Sequence, residues 1–170
     1  MDIADRAAQA ALARYDLDEA RIEQRYAGEC NVVYRVSAGA LDTYALRVST
    51  FRFLRGTDVE SDRAELTTEL RWLSALRRDT DIRAPVPLPA RDGSLVQGIE
   101  DPVTGRERLC VLLSWVAGEE PETLTDGHLR SIGVVVARLH DHALEFAQRE
   151  PVQRSTNDWT DLSAGICRGL

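Results

Sequence analysis

Two charged residues in this sequence stand in apolar company, and the chemistry they could do together is to hold an anion. Arg47 lies in Thr43-Tyr44-Ala45-Leu46-Arg47-Val48-Ser49. The alternation puts Tyr44, Leu46 and Val48 on one face and Ala45, Arg47 and Ser49 on the other, the period-two pattern of a strand. A small residue beside a cation leaves room for a flat ligand and supplies charge for an anion. On this strand alone, the simpler reading is an arginine facing water on a half-exposed sheet. Glu69 falls within the arc Leu66, Leu70, Trp72, Leu73 and Leu76 of a predicted helix. A carboxylate there is costly unless it meets a cation. Local pairing with Arg77 is the alternative to a longer-range partner.

The other reactive residue types offer less. The sequence contains no lysine, so neither a P-loop lysine nor a Schiff base is available and any phosphate cation must be arginine. Cys30, Cys110 and Cys167 are odd in number, widely spaced and free of a C-x-x-C pattern, which implies neither zinc nor a disulfide. In His140-Asp141-His142 the two imidazoles point to nearly opposite sides of a helix and cannot share a metal. His140 is expected to be the packing histidine, on the side of Val136 and Ala143. His128 has no visible partner.

These residues need a scaffold, and the bulk numbers allow one. A chain of 170 residues, 44% hydrophobic and 29% charged, forms one domain or two small lobes. A net charge of −7 argues against a nucleic-acid surface. The N-terminus, with Asp2, Asp5 and Arg6 in an alanine-rich run, does not read as a signal peptide, and no apolar run approaches membrane-spanning length. A cytoplasmic location is the default.

Along the chain, residues 3–15 predict an amphipathic helix with Ala4, Ala8, Ala11, Leu12 and Tyr15 on one side. Residues 21–27 read as a strand, and 28–36 as a turn entering a second strand. Residues 37–42, with Gly39, form the hairpin that leads to the Arg47 strand. The first turn holds Gly28, where backbone amides can approach a phosphate. After a loop around Arg52, Arg55 and Gly56, a helix runs over residues 58–77, capped by Thr57 or Asp58. Ala84-Pro85-Val86-Pro87-Leu88-Pro89 is a stiff extended connector. Strands follow at 94–99 and 108–115, joined by the hairpin loop 101–105. Five strands with one helix inserted after the third make an α+β lobe. A polar linker from residue 117 leads to a helix over 126–146, with Leu129, Ile132, Val136, Leu139, Ala143 and Phe146 inward.

A strand cation, a carboxylate in the next helix, two further strands and a short linker form the plan of a kinase N-terminal lobe. The wording resembles the aminoglycoside phosphotransferase family more specifically. The resemblance rests on Asn31-Val32-Val33-Tyr34-Arg35-Val36, Tyr44-Ala45-Leu46-Arg47-Val48 and Glu69-Leu70-Arg71-Trp72-Leu73. It continues through Ala84-Pro85-Val86-Pro87, Val111-Leu112-Leu113-Ser114-Trp115-Val116-Ala117-Gly118 and the stretch ending in Ala137-Arg138-Leu139-His140, and covers residues 20–165. It implies a kinase-like nucleotide-binding lobe with a five-stranded antiparallel sheet over 1–116. Residues 117–170 would be a linker and the beginning of a helical C-terminal lobe.

The same resemblance implies that Gly28 and Asn31 cover the phosphates of ATP and that Val33 and Ala45 wall the adenine. It places Arg47 on the α- and β-phosphates, Glu69 behind Arg47, and the backbone of Ser114 and Val116 at the adenine edge. The turn departs from the family by lacking the full G-x-G-x-x-G spacing, and the strand cation is Arg where most kinases have Lys. The larger departure is the absence of an H-x-D-x-x-x-x-N loop, since the only asparagines are Asn31 and Asn157. The Mg2+ ligands that such enzymes use would belong to that missing part. The expectation is a fragment of an ATP-dependent phosphotransferase for a small-molecule hydroxyl, with no catalytic residue of its own and little activity alone. A truncated second lobe would leave the apolar side of helix 126–146 uncovered. A non-catalytic nucleotide- or partner-binding module, and a Ser/Thr protein kinase relative, are the alternatives.

Overall fold

The computed structural model describes residues 2–28, 31–40, 42–49, 58–119 and 121–152. Helix α1 spans Ile3–Leu12. Three antiparallel strands follow, β1 (Arg21–Ala27), β2 (Asn31–Ala38) and β3 (Asp42–Ser49), then helix α2 (Val59–Asp79). Strands β4 (Pro87–Leu88), β5 (Gln97–Glu100) and β6 (Glu107–Ser114) complete the sheet, and α3 (Asp126–Arg149) ends the described chain. No described helix is long and apolar enough to cross a membrane.

The sheet has six strands in the order β1-β2-β3-β6-β4, with β5 also on β6. The extra strand is β4, which the proline-rich run had disguised as a plain connector. It pairs Pro87 with Leu113 and Leu88 with Leu112, at the far end of the β6 edge from β5. Proline lacks the N–H that an inner strand needs, so such a strand is short and sits at an edge. The neighbouring Val86 completes the pairing: Ser114 N donates to its carbonyl at 2.8 Å, and Val86 N donates to Ser114 Oγ at 2.9 Å.

The period of two in β3 separates two cores, one on each face. Leu46 and Val48, both fully buried, join Val32, Tyr34, Val36, Cys110 and Leu112 under the alanine stripe of α1. Alanine has no side chain beyond Cβ, so α1 lies close to the strands. It is also tied down by a 2.7 Å hydrogen bond from Tyr34 Oη to Asp5 Oδ1. On the other face Leu70 of α2, fully buried, packs with Val96, Leu109, Val111 and Leu113. Asp58 caps α2, accepting from Ser61 N at 2.8 Å, one of the two caps the sequence offered. Burial pushes the Cys110 thiol up to about 12, so it is an inert core thiol. Cys30, Cys167 and the loop around Arg52, Arg55 and Gly56 lie outside the described residues.

Helix α3 departs from expectation in what it buries. Of its expected inward set, Leu129, Ile132 and Val136 are exposed, Leu129 by 54%. Leu139, Ala143 and Phe146 are half-buried, and His142 is the one buried residue of the helix. His140 is exposed, so the packing histidine is His142 and not His140. The reason is which part of α3 meets α2: the C-terminal half reaches it through His142, with Arg138 bonded to Asp81 just past its end, while the N-terminal apolar stripe stands clear among the described residues.

Candidate functional site

Arg47 and Glu69 meet. Arg47 Nη1 donates to Glu69 Oε1 at 2.8 Å and Arg47 Nη2 to Glu69 Oε2 at 3.1 Å, a two-pronged ion pair between β3 and α2. Parallel N–H···O bonds of this kind fix the plane of the guanidinium as well as its position. Local pairing of Glu69 with Arg77 is therefore not what the chain does. Glu69 is less buried than the sequence led one to expect, its side chain being 42% exposed against 20% for Arg47. The sheet is met by Leu66, Leu70 and Leu73, and Glu69 stands about 60° around the helix from Leu66 at roughly 100° per residue. It thus lies at the margin of the packed stripe, where it can reach Arg47 and still touch water.

The pair stands in an open groove of about 580 Å³ between β3, β6, α2 and α3. Asn31 and Ser49 face each other across the β2–β3 register and line the same groove, as do Leu66, Trp72 and Phe146. A guanidinium carries five N–H donors, and among the described residues Arg47 bonds only Glu69. It therefore presents further donors beside the Asn31 side chain, and a phosphate oxygen is the ligand that such a set accommodates. Among the described residues no three His, Cys, Asp or Glu side chains converge to hold a metal ion.

The remaining expected site residues fall around this pair. Val33 is the register partner of Arg47, and Ala45 lies two residues before Arg47 on the same face, both half-buried. Gly28 closes the β1–β2 turn, its N–H donating to the Asn31 carbonyl at 2.9 Å. A Cβ at Gly28 would stand 3.1 Å from that same oxygen, which is why a glycine fits so tight a closure. Ser114 ends β6, the neighbour of the Arg47 strand, and Val116 follows Trp115 beyond it, its N–H bonding no described residue. Ser114 has its N–H and hydroxyl engaged by Val86, so any contact to a base edge would fall to its carbonyl.

The sequence did not single out two further features. Arg35 stacks over the Trp115 ring at 5.2 Å, and the Tyr26 ring lies 6.3 Å from it, an aromatic and cationic cluster on the Ala45 side of the sheet. Trp72, read only as a core residue, lines the groove and donates its indole N–H to His142 Nδ1 at 3.1 Å. Alternation placed Arg35 beside Ala45, but nothing in the spacing showed that a residue beyond β6 would fold back to meet it.

A sequence profile of the phosphotransferase enzyme family (APH) matches residues 21–164. The chain belongs to the phosphotransferase enzyme family. Among solved structures it is similar to a microcompartment-associated aminopropanol kinase, at 34% identity and a TM-score of 0.67, over 89% of this chain and 44% of that one. It is also similar to an amicoumacin kinase in complex with AMP-PNP and Ca2+, at 19% identity and a TM-score of 0.55, over 88% of this chain and 44% of that one. A spectinomycin phosphotransferase in complex with ADP and spectinomycin aligns at 14% identity and a TM-score of 0.50, over 85% of this chain and 40% of that one. At such identities the latter two likenesses show the fold alone. The chain spans less than half the length of each of these three proteins. None of the curated proteins compared with it matches.

Proposed function

We propose that these residues form the nucleotide-binding part of an ATP-dependent phosphotransferase that acts on a hydroxyl group of a small molecule. The observation that carries this reading is the two-pronged Arg47–Glu69 pair set in a groove beside Asn31. Arg47 would hold the α- and β-phosphates, with Glu69 orienting its plane. Asn31 and the Gly28 turn would cover the phosphates, and Val33 and Ala45 would flank the base. Val116 N–H and the Ser114 carbonyl would meet its edge. ATP would supply the group to be transferred. Among the described residues no three His, Cys, Asp or Glu side chains converge, and the phosphates of the nucleotide would themselves supply part of any Mg2+ coordination.

The sequence holds no H-x-D-x-x-x-x-N loop, so nothing in it is assigned the role of accepting the hydroxyl proton. We therefore expect these 170 residues alone to bind MgATP and to transfer little phosphate. The likeness to an aminopropanol kinase makes small amino alcohols the first acceptors to test in a gene product that contains such a loop. The net charge of −7 supports a small-molecule partner over nucleic acid, and a cytoplasmic location fits a kinase that draws on cellular ATP.

The test is calorimetric titration of the chain with MgATP. Arg47→Ala should lose about 1.5–3 kcal/mol of binding, the usual worth of a charged hydrogen bond. Equal affinity in wild type and mutant would remove Arg47 from the site, and no binding by a folded wild-type chain would overturn the nucleotide reading.

A further inference from the structure

Helix α3 joins α2 in an unusual way: its large apolar side chains are mostly exposed, whereas a histidine is buried to 8% exposure. That histidine, His142, is bonded at both ring nitrogens. Trp72 Nε1 donates to Nδ1 at 3.1 Å, and Nε2 lies 3.4 Å from Asp79 Oδ2. An indole N–H can only donate, so Nδ1 must be the acceptor. The ring hydrogen is then on Nε2, pointing at the Asp79 carboxylate. Asp79 is held below the usual carboxylate range first by its hydrogen bond from Arg78, and further by His142, so it stays ionised to accept. A second tie runs from Arg138 of α3 to Asp81, just past the end of α2.

Both ends of this bridge are on α2, and one of them stands next to the site. Trp72 is three residues after Glu69, so the two project from neighbouring positions on one side of the helix. Both line the groove that holds Arg47. Fastening the indole therefore restrains the rotation of α2 about its axis at the turn that carries Glu69. Apolar contacts from Leu66, Leu70 and Leu73 hold α2 on the sheet, but such contacts are non-directional. Hydrogen bonds at both ring nitrogens are directional.

We propose that His142 is a positioning residue: bridging Trp72 and Asp79, it sets the rotation of α2 so that Glu69 faces Arg47. Its effect on nucleotide affinity rests on the reading of Arg47 given above; its effect on the Arg47–Glu69 geometry does not. The bridge requires a neutral ring. Protonation would place a hydrogen on Nδ1 facing the Trp72 donor and break that bond, while strengthening the pull of Asp79. The charged groups around the ring, lining a cavity of about 280 Å³, are Arg71, Arg78 and Asp79 of α2 and Glu145, Arg149 and Glu150 of α3 and its end.

The experiment combines NMR of the Trp72 indole N–H and the Arg47 Nε–H with MgATP titration of the whole chain at neutral pH. His142→Leu should shift the Arg47 signal and weaken MgATP roughly three- to tenfold, the range expected for one lost hydrogen bond. His142→Gln can accept from Trp72 and donate to Asp79. It should keep the wild-type Arg47 signal and MgATP affinity. Should His142→Leu fail to fold, Trp72→Phe keeps an aromatic ring but removes the indole donor and should move the Arg47 signal in the same direction. An Arg47 signal unchanged in His142→Leu and Trp72→Phe, or one displaced in His142→Gln as far as in His142→Leu, overturns the proposal. An Arg47 signal that responds as stated in a chain that binds no MgATP would leave the bridge standing and sink the nucleotide reading instead.

Discussion

The face of the sheet under α1 and the face under α2 are built from alternate residues of the same strands, yet they are closed differently. Under α1 the stripe of Ala4, Ala7, Ala8 and Ala11 joins Val32, Val36, Leu46 and Val48 in one buried apolar cluster, and the charged groups beside it, Asp5 and Asp101, are each hydrogen-bonded. Under α2 the apolar contact is narrower and gives way at its margin to an ion pair that still touches water. Dense apolar packing leaves no room for a ligand and gives a core mutation nowhere to relax. A half-open face with a fixed cation trades some of that stability for a place to bind. Leu46 and Arg47, adjacent in β3, are on opposite sides of this division.

That division can be broken from either side. Leu46→Ala removes a fully buried side chain and should cost about 2–5 kcal/mol in denaturant unfolding. Arg47→Ala, one residue on, should reverse the pattern. Its loss of about 1.5–3 kcal/mol would appear in MgATP affinity, with unfolding stability little changed because Glu69 remains hydrated. If both substitutions mainly reduced stability, the two faces would not differ in kind. Ala8→Leu tests how closely α1 lies: Ala8 is fully buried, and overpacking should destabilise by about 1–3 kcal/mol. An unchanged melting temperature would show that α1 has room to move.

Smaller effects sharpen the contrast. Glu69→Gln should cost roughly 1 kcal/mol or less in stability, since a part-exposed pair is worth little, while lowering nucleotide affinity through a misoriented Arg47. A stability loss of several kcal/mol would mean the pair is effectively buried. The α1 face should also lose stability in acid. Asp5 is held below an ordinary 3.8 first by the Tyr34 hydroxyl, and Asp101 first by the Val103 backbone N–H. Asp101 also accepts from Arg6 of α1 at 3.4 Å. A lowered folded value means that the contribution is complete above the unfolded pKa and is lost as pH falls through the folded one. Stability measured against pH should fall in that acid range, and Asp5→Asn and Asp101→Asn should each flatten the fall.

Local pattern was enough for much of this molecule. Alternation in residues 43–49 placed Leu46 and Arg47 on opposite faces, and the Asp58 cap and leucine spacing marked α2. Where the reading failed, the missing information lay in partners distant along the chain. The β4 strand exists because β6 has an open edge for Pro87 and Leu88, which no propensity in a proline-rich run can announce. The stripe of α3 read as inward because periodicity shows that a helix has an apolar side, not that anything covers it. His140 and His142 were exchanged for the same reason: which of two histidines is buried depends on where Trp72 and Asp79 stand.

From its residues alone, this chain specified an α+β sheet with an inserted helix, a cation on the third strand and a carboxylate in the helix that follows. Only the tertiary structure decided that the two side chains meet through both oxygens, that they do so at the rim of a groove, and that a histidine from α3 holds the helix from behind. Periodicity along a chain fixes directions around one element, whereas the distance between two elements depends on everything packed between them.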